Sequence, residues 1–299
     1  MDVGFVGLGR MGFHMVERLL GGKHRVVAYN RTETKTRDIM KKGAEGAFSF
    51  PELAKKLPAP RTVWLMVPSG EATQATLDQI IPHLSPGDLV VDGGNSRYTD
   101  SQKRAERLKA RGLHFVDVGT SGGVWGLAKG YCLMAGGDED DFRRIEPLLA
   151  TLAPGPEGYA RCGPAGAGHF VKMVHNGIEY GLMQSYAEGF DLMRSSPLKL
   201  DLAKISRLWM QGSVVRSWLL ELLGDALKAD PSLDKLKGYV EDSGEGRWTV
   251  EEAVASGTPA PAITSALYAR FASRREDSFA AKILAALRNQ FGGHSVKSE

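Results

Sequence analysis

The run Val3-Gly4-Phe5-Val6-Gly7-Leu8-Gly9-Arg10-Met11-Gly12 constrains this chain more than any other stretch. A short apolar strand ends at a glycine, and an amphipathic segment begins at once over two further glycines. A strand that turns directly into a helix through Gly-x-Gly-x-x-Gly is the dinucleotide-binding fingerprint. Gly7 permits the tight turn, Gly9 lets backbone approach a pyrophosphate, and Gly12 lets the helix pack closely on the strand. Leu8, Arg10 and Met11 complete the loop and the first helical turn. The helix N-terminus offers N–H groups and a partial positive charge to phosphates.

The rest of the N-terminal half has the pattern this motif requires. Apolar, β-branched runs at 3–7, 25–29, 62–67, 88–92, 113–118 and 131–135 alternate with amphipathic stretches at 11–20, 72–84, 100–111 and 139–152. Gly, Pro, Asn and Ser stand at the turns, so residues 1–164 are expected to form a doubly wound α/β domain of Rossmann type. From Gly163 onward the strand pattern stops. Segments 168–193, 200–211, 214–228, 250–255, 262–272 and 278–289 read as helices, which predicts an all-helical second domain over 165–299. Two apolar stripes, Leu202, Ile205, Leu208, Trp209 and Val215, Leu219, Leu222, Leu223, recur at three and four residues and are expected in its core.

Composition agrees with two globular domains. Of 299 residues, 42% are hydrophobic and 24% charged, which excludes a disordered or collagen-like chain in spite of 36 glycines. No apolar run approaches the ~18 residues that cross a bilayer, and Met1-Asp2 leads straight into strand, so a soluble, cytoplasmic protein is expected. The net charge of +3 comes with no basic run, so neither nucleic acid nor membrane is expected as a partner. Cys132 and Cys162 fit no disulfide framework or zinc spacing and read as reduced thiols.

The second strand ends in Asn30-Arg31-Thr32, where NAD-binding domains commonly carry an acid for the ribose. Asn30 can hydrogen-bond ribose or phosphate without repelling it, Arg31 can pair with a 2′-phosphate, and Thr32 adds a hydroxyl. This predicts NADP, with NAD as the alternative cofactor. Met66-Val67-Pro68 and Asp92-Gly93-Gly94-Asn95 lie at the same carboxyl edge of the sheet. Asn95 is expected between nicotinamide and substrate, whereas Asp92 serves the site or only orders the glycine turn.

Gly119-Thr120-Ser121-Gly122-Gly123 then runs from a strand into a loop able to hold a carboxylate. Lys172, His175, Asn176, Glu179 and Tyr180 follow at offsets 0, 3, 4, 7 and 8, near one face of a helix whose other positions are apolar. Five polar groups on one stripe point to a site rather than to packing. His175 and Glu179 have no third ligand at useful spacing, so no metal is predicted. Lys172, with its pKa lowered by burial beside other cations, is the expected base.

The run 170–180, with Lys172, His175, Asn176, Glu179 and Tyr180, resembles the signature of decarboxylating 6-phosphogluconate dehydrogenases. Asn30-Arg31-Thr32, Asp92 to Ser96, Ser121-Gly122-Gly123, Gly246-Arg247-Trp248-Thr249, Tyr268-Ala269-Arg270 and Arg288 to His294 resemble the family's other motifs. The resemblance implies that Lys172 takes the 3-hydroxyl proton, then polarises the 3-keto oxygen as carbon dioxide leaves. Glu179 would protonate C1 of the enediol, which requires a pKa raised by burial. It implies that His175 and Asn176, with Asn95, Ser121, Gly122 and Gly123, hold the hydroxyls and carboxylate. Tyr180, Arg247, Thr249, Arg270 and Arg288 would hold the phosphate. The product would be ribulose 5-phosphate.

In the family the arginine–histidine tail, here Arg288 and His294, comes from a neighbouring subunit, so a homodimer or homotetramer is implied, assembled through the helical domain. Three departures stand out: Arg247 replaces the usual lysine, Val124-Trp125-Gly126 replaces paired acids, and the chain is much shorter than the long forms. The rival reading is a dehydrogenase or reductase of another small β-hydroxy acid, such as 3-hydroxyisobutyrate, which needs no phosphate-binding arginines. A non-catalytic NADP-binding scaffold would need neither Lys172 nor Glu179.

Overall fold

In the computed structural model, which describes residues 1–292, Ser295 and Lys297, β1 (Asp2–Val6) runs through the glycine loop into α1 (Arg10–Gly21). There follow β2 (Arg25–Tyr29), α2 (Glu33–Met40), β3 (Glu45–Gly46), α3 (Phe50–Lys56), β4 (Thr62–Leu65) and α4 (Glu71–Ile80). Then come β5 (Leu89–Asp92), α5 (Tyr98–Lys109), β6 (His114–Ser121), α6 (Gly126–Lys129), β7 (Cys132–Gly136), α7 (Glu139–Leu152) and β8 (Tyr159–Gly163). The strands form one sheet in the order β3-β2-β1-β4-β5-β6-β7-β8. β1 pairs in parallel with both β2 and β4, so the chain reverses its direction of winding there and opens a crevice at the carboxyl ends of the strands.

The strands read as continuous apolar runs because both sheet faces are covered. Phe5, Val91 and Val118 join Met15, Leu19 and Leu148 on one face, while Val6, Val27, Leu65 and Val90 join Leu53 and Leu77 on the other. Neighbours such as Phe5 and Val6 go to opposite faces, as the two-residue strand period dictates. Among the described residues only β6 and β7 pair antiparallel, because the loop and short α6 between them provide no crossover long enough for a parallel return.

β8 carries no apolar alternation, and three of its five residues are exposed, which is why the sequence pattern ends before it. The predicted helix 72–84 breaks after Ile80 into a single 3-10 turn at Ile81–His83, where Pro82 cannot continue it.

The chain divides into two compact units, Met1–His175 and Asn176–Glu299. α8 (Ala167–Arg194) begins in the first and continues into the second, which also holds α9 (Leu202–Trp209), α10 (Trp218–Ala229), α11 (Glu245–Ser256), α12 (Pro261–Ala272) and α13 (Phe279–Gly292). Asp201 caps α9 by accepting from the Lys204 N–H, and Ser217 caps α10 by accepting from the Leu220 N–H.

The core of the second unit is small. Phe190, Leu220 and Leu227 form one cluster, with Leu202, Trp209 and Leu223 partly buried against it. Tyr180, Ala266 and Leu267 form another. The two predicted stripes are therefore only partly core: Leu208 is 64% and Val215 43% exposed, because the buried lines of α9 and α10 run through Ser206 and through Leu220, Gly224 and Leu227 instead. Both cysteines are free and exposed. Among the described residues no helix is long and apolar enough to cross a membrane.

Candidate active site

The crevice at the β1–β4 switch point is a cleft of about 470 Å³ lined by Gly7, Gly9, Asn30, Arg31, Thr32, Met66, Val67 and Pro68, among others. The three fingerprint glycines meet different surroundings. Gly7 has a φ of +101°, and a Cβ there would collide with the Met66 carbonyl oxygen; a Cβ on Gly12 would collide with the Gly7 carbonyl oxygen. A Cβ on Gly9 would meet nothing within 4 Å. Gly9 is also the N-cap of α1 and puts no side chain on the first N–H groups, and the first turn holds no acid. An uncapped helix end facing open space is a fitting cradle for a dinucleotide pyrophosphate.

The other residues expected at the cofactor divide by their place in the structure. Leu8 is buried in the core and Met11 packs against it, so their side chains support the loop, while Arg10 is exposed. The Leu8 N–H donates to Asn30 Oδ1 at 2.8 Å, and Asn30 Nδ2 donates to the Thr32 carbonyl at 3.1 Å. Asn30 thus braces the glycine loop against the end of β2. Arg31 and Thr32 are exposed beside it. The cleft also takes in Ala72, Ala75, Thr76 and Gln79 of α4. Sequence reasoning missed these four, although their i, i+3, i+4, i+7 spacing, offset from the buried line Thr73, Leu77 and Ile80, was the available signal.

At the end of β5, Asp92 is fully buried. It accepts from the Gly94 N–H at 3.1 Å, from Ser96 Oγ at 2.8 Å and from buried Arg104 at 3.1 Å. It orders the turn. Asn95 sits at φ +51° and pairs its side-chain amide with the backbone of Thr120. The loop that follows starts from Ser121, the last residue of β6, and relies on Gly122 at φ +139° and Gly123 at φ +53°.

Lys172 is buried at 5% exposure, with its Nζ 3.4 Å from His175 Nδ1. Its position rests on contacts that carried no sequence signal. A Cβ on Gly119 would collide with the Lys172 Cβ, and a Cβ on Gly168 would strike the Met134 carbonyl, so these glycines let α8 lie directly on the end of β6 and β7. Buried Asp117 accepts from the Gly166 N–H at 2.6 Å and the His169 N–H at 2.8 Å, tying down the first turn of α8. Desolvation pushes the Asp117 carboxyl above the ordinary range, against the pull of His169 and the two N–H groups. His169 Nδ1 in turn lies 2.7 Å from Ser101 Oγ.

Further along α8, Asn176 and Glu179 are half-buried, and Tyr180 is 5% exposed. In the second unit the Tyr180 hydroxyl accepts from the Ser243 N–H at 3.0 Å, and Arg270 lies over its ring at 3.6 Å. Arg270 also donates to the Glu241 carbonyl at 2.8 Å. Arg247 pairs with Asp242 at 3.0 Å, as does Arg274 at 2.9 Å. Gly246 leaves room for the Tyr180 ring and Gly177 for Thr249, whose hydroxyl donates to the Glu245 carbonyl at 2.8 Å.

Tyr180, Arg247, Arg270 and Thr249 are therefore gathered by α8, α11 and α12, together with Asp242 and Arg274, which sequence reasoning passed over. Arg288 is exposed on α13 and makes no hydrogen bond or ion pair with that group among the described residues. His294 lies outside the described residues.

Two family models cover the chain. One, for the NAD binding domain of 6-phosphogluconate dehydrogenase, matches residues 2–163; the other, for the 6-phosphogluconate dehydrogenase C-terminal domain, matches residues 168–298. The chain belongs to the 6-phosphogluconate dehydrogenase family.

A decarboxylating, NAD(+)-dependent 6-phosphogluconate dehydrogenase of Haloferax volcanii is 42% identical over 99% of this chain and 98% of its own length. A decarboxylating, NADP(+)-dependent one of Bacillus subtilis is 35% identical over 92% of this chain but 62% of its own length. The solved structure of Plasmodium falciparum 6-phosphogluconate dehydrogenase superposes with a TM-score of 0.85 at 28% identity, covering all of this chain and 66% of that one. Members of the 6-phosphogluconate dehydrogenase family thus include both cofactor types among this chain's relatives, which leaves Asn30-Arg31-Thr32 as the local determinant to examine.

Proposed function

We propose that this chain is an NADP-preferring 6-phosphogluconate dehydrogenase that oxidises and decarboxylates 6-phosphogluconate to ribulose 5-phosphate. The observation that carries the reading is the gathering of Arg247 and Arg270 around Tyr180. A small, unphosphorylated β-hydroxy acid gives no reason to assemble these cations, whereas a phosphate dianion does.

Residues 1–164 hold the cofactor, and residues 165–299 bind substrate and mediate assembly. Gly7, Gly9 and the α1 N-terminus would cradle the pyrophosphate, with Arg31 beside the 2′-phosphate. NADP, when bound, accepts the hydride from C3. Lys172 takes the 3-hydroxyl proton as that hydride leaves, and returns it to the keto oxygen as carbon dioxide departs. Glu179 then delivers a proton to C1. Asn95, Ser121, Gly122, Gly123, His175 and Asn176 hold the carboxylate and hydroxyls, and Tyr180, Arg247, Thr249 and Arg270 hold the phosphate. Arg288 and His294 complete the site from a second copy in a cytoplasmic homodimer or homotetramer. The exposed apolar line Phe279, Ile283 and Leu287 of α13 supports such assembly.

Initial-rate assays with 6-phosphogluconate and 3-hydroxyisobutyrate, each with NADP and NAD, test this. Turnover of 6-phosphogluconate with NADP favoured is the expected result. Turnover of 3-hydroxyisobutyrate alone overturns it.

A further inference from the structure

Asp242 stands among Arg247, Arg270 and Arg274, whose guanidiniums lie over the Phe271 and Tyr180 rings. Its carboxylate, 5% exposed, accepts on Oδ2 from Arg247 at 3.0 Å and from Arg274 at 2.9 Å. Both guanidiniums also lie over the Phe271 ring, at 5.1 and 5.2 Å. Arg274 Nε donates to the Arg270 carbonyl at 3.2 Å, which ties it to the third arginine through the backbone.

The charges decide what this arrangement can do. An Asp242–Arg247 pair alone is neutral, and a neutralised guanidinium is a poor anion ligand. Arg274 on the same oxygen leaves the trio with one net positive charge. Arg270 adds a second and Glu251, which also acts on Arg247, offsets one, so the cluster is net positive with Arg274 in place and neutral without it. The carboxylate also restricts a guanidinium that is otherwise free to swing, so Arg247 is held in one orientation before substrate arrives.

We infer that Arg274 is a specificity-determining residue for the phosphate end of the substrate, acting through Asp242 to keep Arg247 both oriented and net positive. This rests on the reading that a phosphorylated sugar acid is the substrate.

The experiment compares wild type with Arg274→Met, Arg274→Lys and the Asp242→Asn/Arg274→Met double variant, reading kcat and KM for 6-phosphogluconate, turnover of gluconate, and Kd for inorganic phosphate. Arg274→Met is expected to raise KM and the phosphate Kd by at least about tenfold, with kcat and gluconate turnover little changed. Arg274→Lys recovers part of the loss. The double variant binds phosphate more tightly than Arg274→Met, because removing the Asp242 charge restores the net positive charge.

An unchanged KM, or equal losses for 6-phosphogluconate and gluconate, overturns the inference, as does a double variant weaker than the single one. Wild type that binds 6-phosphogluconate without turning it over overturns the proposed function instead, and the phosphate Kd series still tests the inference. Should Arg274→Met fail to fold, the Arg274→Lys and Asp242→Asn phosphate affinities decide in its place: Lys weaker and Asn no weaker than wild type support it, and the reverse order overturns it.

Discussion

Asn95 holds the backbone of Thr120 on both sides of its Cα: Asn95 Oδ1 accepts from the Thr120 N–H at 2.8 Å, and Asn95 Nδ2 donates to the Thr120 carbonyl at 3.1 Å. One amide therefore joins the loop after β5 to the last turn of β6, immediately before Ser121. It does so from a left-handed conformation that asparagine tolerates better than most side chains. Asn95→Ala is expected to cost about 1–3 kcal/mol of stability through the lost pair and the strained φ. Asn95→Gly relieves the φ but not the pair. Kinetics should show both variants impaired in kcat; full activity in Asn95→Gly would mean that conformation alone is needed.

Lys172 is seated by Gly119 rather than by a long loop. Lys172→Ala is expected to abolish hydride transfer while cofactor affinity, measured by fluorescence titration, stays near wild type. Gly119→Ala should displace α8 from β6 and lower kcat with Lys172 still present. Normal kcat in Gly119→Ala would show that the helix has slack the packing does not suggest.

Arg31 is exposed at the cleft mouth and has no acid beside it in the loop. Arg31→Ala is expected to reduce kcat/KM for NADP by about ten- to hundredfold, the worth of a charge-assisted bond to phosphate, and to leave NAD largely unaffected. Equal losses for both cofactors would remove Arg31 from 2′-phosphate recognition.

The Asp242 carboxyl gives the helical unit a pH signature. Burial raises its pKa, but the hydrogen bonds and charges of Arg247 and Arg274 outweigh burial and hold it below the usual carboxylate range. A depressed folded-state pKa contributes stability that is present above the unfolded value of about 3.9 and is lost as pH falls through the lower folded value. Thermal melts of wild type and Asp242→Asn from pH 7 to pH 3 should differ by a constant amount above about pH 5. The gap should begin to narrow near the unfolded value of about 3.9 and close only as pH falls below the lowered folded-state value.

Arg288 in trans can be tested by mixing subunits. Lys172→Ala and Arg288→Ala variants, each impaired alone, should regain about a quarter of wild-type activity after joint refolding, because half of randomly paired dimers then contain one intact site. No recovery would place Arg288 within its own chain's site.

The fold was legible where residue periodicity reports burial. Phe5 and Val6, or Val90 and Val91, enter opposite covered faces, so their strands announce themselves. β8 did not, because an edge strand with Arg161 and Cys162 exposed has no such pattern. The candidate site was legible where a local motif carries it, as in Gly7 to Gly12 or Lys172 to Tyr180. Asp117, Arg274 and the contact of Gly119 with Lys172 escaped for one reason: each joins groups distant in sequence, and nothing in its own neighbourhood marks that partner. Asn30 was legible as a polar group at the end of β2, but the bracing of Leu8 and Thr32 by its amide within the protein was not.

The unequal surroundings of the three fingerprint glycines separate two demands that the motif makes at once. Gly7 and Gly12 answer to the polypeptide: a methyl group there strikes backbone whether or not any nucleotide exists. A Cβ on Gly9 meets no protein atom, so on the proposed reading this glycine answers to the dinucleotide. A library screened for soluble expression should therefore purge substitutions at positions 7 and 12 and pass those at 9. A library screened for turnover should purge all three, so the difference between the two screens isolates the one glycine kept for the ligand.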